Sequence, residues 1–175
     1  MWEMNKGLLI AFEGVDGAGK KTLSRYLKDK FESLHLRTKL FNYPDYKSPW
    51  GKIIRKYLYN QIELSPVEQF LTYFTDIYKD QAILKELRSH GVFVIVNRYF
   101  ASTAAFQCAK GFSYERVLDI YDVADILIPD VSFFLKVKPE IALERCRKRK
   151  VPDRHERDIW LLQSVSRFYG RIIKH

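Results

Sequence analysis

The chain has 175 residues, 47% of them hydrophobic and 29% charged, with 8 glycines and 6 prolines, which is enough apolar material for one sizeable core and excludes wholesale disorder. No apolar run approaches the roughly 20 residues of a membrane span, no secretory signal pattern opens the chain, and Cys108 and Cys146 are not spaced as a metal or redox motif. The formal net charge of +9 suits either an electropositive site for anionic ligands or a lysine-rich solvated surface, and by itself decides between neither. A cytoplasmic, disulfide-free protein of one domain is the expectation.

The first element is a short apolar strand, Leu8–Phe12, running straight into Gly14-Val15-Asp16-Gly17-Ala18-Gly19-Lys20. Lys20 to about Leu34 reads as a helix with Leu23, Tyr26, Leu27 and Phe31 on one face. Thr38–Tyr43 is a second strand, stopped by Pro44. Ser65-Pro66-Val67-Glu68 is a capping box with proline at the first helical position. From it one long helix is expected, with Val67, Phe70, Phe74, Ile77, Gln81 and Leu84 near one stripe, ending around His90-Gly91.

Val92–Val96 is a third strand, continuously apolar as buried parallel strands are. Helical stretches follow over roughly 101–110 and over Tyr114–Val123, then a fourth strand over Asp130–Val137. Pro139 opens a helix through Arg149, and Ile159, Leu162, Val165, Tyr169 and Ile172 mark a closing helix. Alternating strands and helices give an α/β fold, a parallel sheet of about four strands with helices on both faces. In such a sheet ligands bind beyond the carboxyl ends of the strands. Those ends carry Glu13-Gly14, Tyr43-Pro44-Asp45, Asn97-Arg98-Tyr99 and Val137-Lys138.

The first strand, the glycine turn and the helix come in the order that a phosphate-binding loop requires. Glycines let the backbone approach a polyphosphate, its amides and the helix N-terminus face the anion, and Lys20 reaches the β/γ oxygens. The G-x-x-x-x-G-K spacing is complete, but Lys21 stands where Ser or Thr is expected, with Thr22 next. A guanidinium directly after a buried strand, Arg98, suits phosphate through its two-pronged geometry.

The chain resembles the thymidylate kinases, P-loop enzymes that move a phosphoryl group from ATP to dTMP. The likeness rests on Phe12–Lys20, on Tyr43-Pro44-Asp45 with Gly51-Lys52, on Phe74 with Gln81, on Asn97-Arg98-Tyr99, on Ser102–Gln107 and on Asp153-Arg154-His155-Glu156. It implies a P-loop NTPase three-layer sandwich with ATP as donor and magnesium as cofactor. ATP would lie against Gly14, Val15, Asp16, Gly17, Ala18, Gly19, Lys20, Lys21 and Thr22. It also implies that Asp16 accepts a hydrogen bond from the 3′-hydroxyl of dTMP, that Phe74 stacks on thymine, that Arg98 grips the acceptor phosphate, and that Gln107 faces the pyrimidine edge. Tyr43, Pro44, Tyr78, Ser102, Thr103 and Phe106 would complete the acceptor site. By spacing alone Phe74 reads as core, and Ser102 and Thr103 read equally well as helix caps.

In the family the basic segment at about 147–157 is a lid over the donor, and Arg147, Arg149 and Arg154 are its candidate catalytic arginines. As a charge run it also reads as a solvated helix end. The resemblance further implies a homodimer, with neither nucleic acid nor membrane as partner.

Several positions depart from the family. Lys21 replaces the metal-ligating hydroxyl and Asn97 replaces the strand-end acid, both of which should weaken magnesium binding. Tyr46 and Tyr78 stand at or near positions of acceptor-side arginines, with Lys47 able to compensate for the first. The sequence stops within what would be the penultimate helix, so the family's fifth strand and last helix are not among its residues. A kinase for another nucleotide or nucleoside, or a degenerate nucleotide-binding homologue with weak catalysis, stays open on the residues alone.

Overall fold

A computed structural model of the chain describes residues 6–148 and 153–172. Strands β1 (Leu9–Glu13), β2 (Thr38–Asn42), β3 (Phe93–Asn97) and β4 (Val131–Phe134) form one parallel sheet in the order β2-β3-β1-β4. Leu9 pairs with Val94 and Thr38 with Phe93, which fixes the register and brings the carboxyl ends of β1, β2 and β3 level. The side chains of β1 alternate between two cores, as a pleated strand requires. Ile10 and Phe12 join Leu27 and Phe31 of helix α1 (Lys20–Ser33) on one face. Leu9 and Ala11 face the other way, toward the helices that follow β2.

Those helices are α2 (Pro49–Leu58), α3 (Pro66–Tyr78), α4 (Gln81–Ser89), α5 (Phe100–Cys108) and α6 (Tyr114–Val123). Ile77, Leu84 and Phe100 cover Leu9, Ala11, Val94 and Val96, completing the second face of a three-layer α/β sandwich. Helices α7 (Pro139–Arg147) and α8 (Ile159–Ile172) share a core with the phosphate loop and α5, built on Val15, Ala105, Ala142, Leu162 and Tyr169.

Three elements differ from expectation. The long helix from Pro66 breaks at Lys79–Asp80, because side chains take over the backbone bonds there. The Gln81 amide donates to the Ile77 carbonyl, Lys79 Nζ donates to the Asp76 carbonyl at 2.7 Å, and Asp80 accepts Lys79 and the Tyr43 hydroxyl. Helix α2 lies where no element was assigned. Its signal is a serine cap followed by proline: Ser48 Oγ accepts the Gly51 N–H at 2.8 Å and Pro49 opens the first turn. Strand β4 stops at Phe134 rather than Val137, since its partner β1 ends at Glu13, whose carbonyl takes the Leu135 N–H. Helix α7 ends at Arg147 with Lys148 as its C-cap, short of the expected end at Arg149, a residue that lies outside the described ones.

After α7, residues 153–158 are docked across the helices. The Arg154 guanidinium lies 4.2 Å over the Tyr57 ring, makes a two-pronged contact with Glu63 and donates to Asn60, while its backbone N–H meets the Leu58 carbonyl. His155 stacks on Phe106 and accepts at Nε2 from Lys110 Nζ at 2.7 Å. Lys110 also donates to Gln69 at 2.6 Å and to the Tyr57 hydroxyl, so its three hydrogen-bond partners are all neutral. Burial, and then the nearby Arg154 charge, pull its ammonium from 10.5 down to about 8.

Because the folded lysine titrates below the unfolded one, the unfolded chain binds more protons between those values, and stability rises with pH across that window. The unfolding free energy of the wild type relative to Lys110→Met is therefore expected to increase from about pH 7.5 to about pH 10 in urea titrations. A pH-independent difference would contradict this placement of Lys110.

Candidate active site

Between β1 and α1 the backbone turns on glycines at positive φ, Gly14 at 135° and Gly17 at 79°. A Cβ at Gly17 would lie 2.3 Å from the Ala142 carbonyl oxygen, so side chains are excluded there by α7 as well as by the turn. No side chain caps the first turn of α1, whose N-cap is Gly19. The amides of the loop and of this turn are thus offered to a groove of about 1600 Å³ lined by Gly17, Lys20, Lys21, Thr22 and Asn97. Lys20 is buried with its Nζ donating to the Gly14 and Val15 carbonyls at 2.7 and 2.8 Å. Arg145, from α7, donates to the Gly17 carbonyl at 3.2 Å. Arg145, in the last turn of α7 and two residues from its end, is not among the arginines that the sequence singles out.

Opposite the loop, Arg98 follows β3 in a left-handed conformation, φ 59°, rare for a side-chain-bearing residue. Its guanidinium pairs with Asp16 and donates to the Gly14 carbonyl at 3.3 Å. This corner is held from β1. The buried Glu13 carboxylate accepts the Tyr99 N–H at 2.9 Å and the Ser102 hydroxyl. Ser102 in turn meets the Tyr169 hydroxyl of α8 at 2.7 Å. Burial pushes the Glu13 carboxyl up from its ordinary value, while Ser102, Tyr99, Lys20 and Arg98 oppose that shift.

A second compartment adjoins the groove, and Asp16, Arg98, Tyr43, Pro44, Tyr46 and Asp153 border both. The Tyr43–Pro44 peptide is cis. One wall is a face of α5 carrying Ser102, Thr103, Phe106 and Gln107, all buried. Gln107 is 1% exposed, and neither atom of its amide meets a hydrogen-bond partner among the described residues. A buried amide of that kind costs about 1–3 kcal/mol until something in the cavity pairs with it.

Two expected acceptor-site residues lie elsewhere. Phe74 stacks on Tyr78 and Tyr121 within the helical core, and Tyr78 is 44% exposed on the outer side of α3. The α3 face toward the cavity consists of Tyr73, Asp76 and Ile77. One residue along a helix is a rotation of roughly 100°, which carries Tyr73 into the cavity and Phe74 out of it.

The candidate arginines also separate. Arg154 is turned away from the loop onto Glu63, Asn60 and Tyr57, and Arg147 is exposed at the end of α7 and lines neither compartment. Arg149 lies outside the described residues. Asp153 and His155 line the cavity instead, and burial raises the Asp153 carboxyl and holds the His155 ring well below its ordinary pKa.

At the loop the oxygen donors for a cation are sparse. Asn97 donates through Nδ2 to Ser24 Oγ at 2.7 Å and to Asn42 Oδ1 at 2.8 Å, leaving its Oδ1 buried without a partner among the described residues. Glu13 and Asp16, the carboxylates adjoining the loop in sequence, are committed to Tyr99, Ser102 and Arg98. No three His, Cys, Asp or Glu side chains among the described residues are grouped to hold a metal ion.

The model of the thymidylate kinase family matches residues 12–175. A thymidylate kinase of Leptospira interrogans is 34% identical over 170 residues, spanning 96% of this chain and 82% of that relative. The thymidylate kinase of Schizosaccharomyces pombe is 34% identical over 145 residues, 83% of this chain and 68% of its own. Among solved structures, the thymidylate kinase from Candida albicans aligns with a TM-score of 0.77 at 27% identity, over 95% of this chain and 78% of that one. A parallel sheet with a phosphate loop, an arginine corner facing it and a shared two-compartment cleft accompany that likeness, and the chain belongs to the thymidylate kinase family.

Proposed function

We propose that the chain transfers the γ-phosphoryl group of ATP to dTMP, giving dTDP and ADP. One observation carries the assignment of the acceptor: the buried, unpartnered amide of Gln107 at the far wall of a cavity whose mouth is Arg98 and Asp16. An amide donates and accepts at once, which suits the imide edge of thymine, and aromatic side chains that can stack on a base, Tyr73 and Phe106 among them, line the same cavity.

The triphosphate lies on the amides of residues 14–20 with Lys20 on its terminal oxygens. A phosphate oxygen of dTMP attacks the γ-phosphorus in line, and the bond from that phosphorus to the β–γ bridging oxygen breaks. The protein's share is alignment and charge neutralisation, with no side-chain nucleophile. Arg98 moves from Asp16 to the acceptor phosphate, and Asp16 turns to the 3′-hydroxyl, so each ligand group replaces one half of an existing ion pair. Arg145 is the arginine placed to meet transition-state charge at the loop. Arg154 acts by anchoring the lid at 153–157.

Magnesium, which the family implies, does not fit the donor set at the loop, where Lys21 replaces the hydroxyl and Asn97 the carboxylate. A homodimer is supported by exposed apolar side chains on α3 and α6, namely Val67, Leu71, Leu118 and Val123. We also propose a cytoplasmic location, with small-molecule nucleotides and a second copy of the chain as partners; among the described residues no helix is long and apolar enough to cross a membrane.

Tested against a panel of nucleoside monophosphates with ATP, dTMP is expected to give the highest ADP release, and preference for another monophosphate would replace the substrate assignment. Lys20→Ala should lower turnover by at least about a hundredfold. Gln107→Leu should raise KM for dTMP by about ten- to a hundredfold, as expected for removing a paired buried amide, with KM for ATP unmoved. Equal effects on both substrates would remove Gln107 from base recognition.

A further inference from the structure

We propose that the donor triphosphate binds this chain as the metal-free polyanion, with the Lys21 ammonium supplying the positive charge that a bound magnesium supplies in related phosphate loops. The inference rests on residues 14–20 being the donor site. In phosphate loops of this spacing the residue after the lysine carries a hydroxyl that ligates the metal, and a strand-end aspartate supports it. Here the first of these is an ammonium, which has three donors, no lone pair, and a charge that repels a cation. Lys21 is exposed and lines the groove beside Lys20.

Asn97 takes the second position, at the last residue of β3. Its amide cannot turn to present anything better. The Ser24 hydroxyl donates to the Lys21 carbonyl, so Ser24 Oγ is left as the acceptor that faces Asn97 Nδ2. Asn42, at the end of the neighbouring strand, accepts the other Nδ2 proton. What Asn97 turns elsewhere is one neutral carbonyl oxygen, 5% exposed as a residue and without a partner among the described residues.

Magnesium gives up its water reluctantly and is held by carboxylates plus phosphates. Three of the carboxylates bordering this groove are drawn off, Asp16 to Arg98, and Asp45 and Asp80 to Lys79 at 3.6 and 2.8 Å, and a fourth, Asp153, accepts the His155 and Glu156 N–H groups. Thr22, the nearest hydroxyl in sequence, is rotated roughly 100° around α1 from the position that Lys21 holds. The loop therefore combines an added cation with the loss of both metal-directed oxygens. Lys20 and Arg145 bring the local positive charge to three side chains around residues 14–21. A free triphosphate of high negative charge meets that arrangement better than its magnesium complex does.

Calorimetric titration of the full chain with ATP, in excess EDTA and in excess magnesium chloride and with no monophosphate present, reads this directly. The wild type is expected to bind ATP at least about tenfold more tightly in EDTA than in excess magnesium. Lys21→Thr should weaken binding in EDTA and make the magnesium complex about tenfold tighter than the free nucleotide. Lys21→Gln, which removes the charge without adding a ligand, should weaken binding in EDTA alone. Wild-type binding in magnesium that is tighter than in EDTA or within about threefold of it, or an unchanged buffer ratio in both variants, would overturn the proposal. Failure of ATP to bind in either buffer would overturn the donor-site reading with it.

Discussion

Glu13 ends the central strand with its carboxylate out of solvent, and three groups from two helices reach it: the Tyr99 amide at the start of α5, the Ser102 hydroxyl one turn on, and Tyr169 of α8. A carboxylate so buried is tolerable only while those donors and the charges of Lys20 and Arg98 stand around it. The arrangement also explains how a non-glycine residue holds a left-handed backbone at position 98. The residues on both sides are fixed, Asn97 by Ser24 and Asn42, and Tyr99 by Glu13. The strain at Arg98 is imposed by a surrounding that leaves it no alternative. Through this one group the phosphate loop, the arginine corner and the α5 wall are built as a unit.

The cleft stores opposite charges side by side. Asp16 and Arg98 neutralise each other at the junction of the two compartments, and Lys79 gathers Asp45, Asp76 and Asp80 beneath the acceptor side. Partly buried pairs of this type contribute little net stability, because desolvation offsets attraction. Their consequence is for binding: on the proposed reaction an incoming phosphate and hydroxyl would exchange partners with a pair already formed, so no bare charge would be exposed on the way. The 153–158 segment is held differently. Arg154 is fully engaged with Glu63, Asn60 and the Tyr57 ring, while the hydrogen-bond partners of Lys110 are neutral.

Most of the framework was legible because it is local. The apolar runs of β1 and β3, the Ser65–Glu68 box and the Tyr114–Val123 helix each declare themselves within one window of sequence. Helix α2 had the same kind of signal in Ser48-Pro49 and was overlooked. What could not be read was set by distance along the chain. Periodicity marks a stripe of α3 but does not say which of two adjacent aromatics looks into a cavity, since the cavity is made by α5 and the Tyr43–Pro44 turn. Arg154, a candidate catalytic arginine by sequence, is held in the structure by Glu63, 91 residues earlier. Arg145 lacked any local distinction from its neighbours, and only the fold brings it to Gly17.

The contact between Glu13 and Tyr169 spans 156 positions. During synthesis the chain leaves the ribosome from its N-terminus, so the strand carrying Glu13 emerges long before the helix that helps enclose its carboxylate. Until α8 arrives, the glutamate stays hydrated and the arginine corner lacks its full support. The nucleotide cleft is thus among the last features of a nascent molecule to mature, although the loop that defines it is among the first residues made.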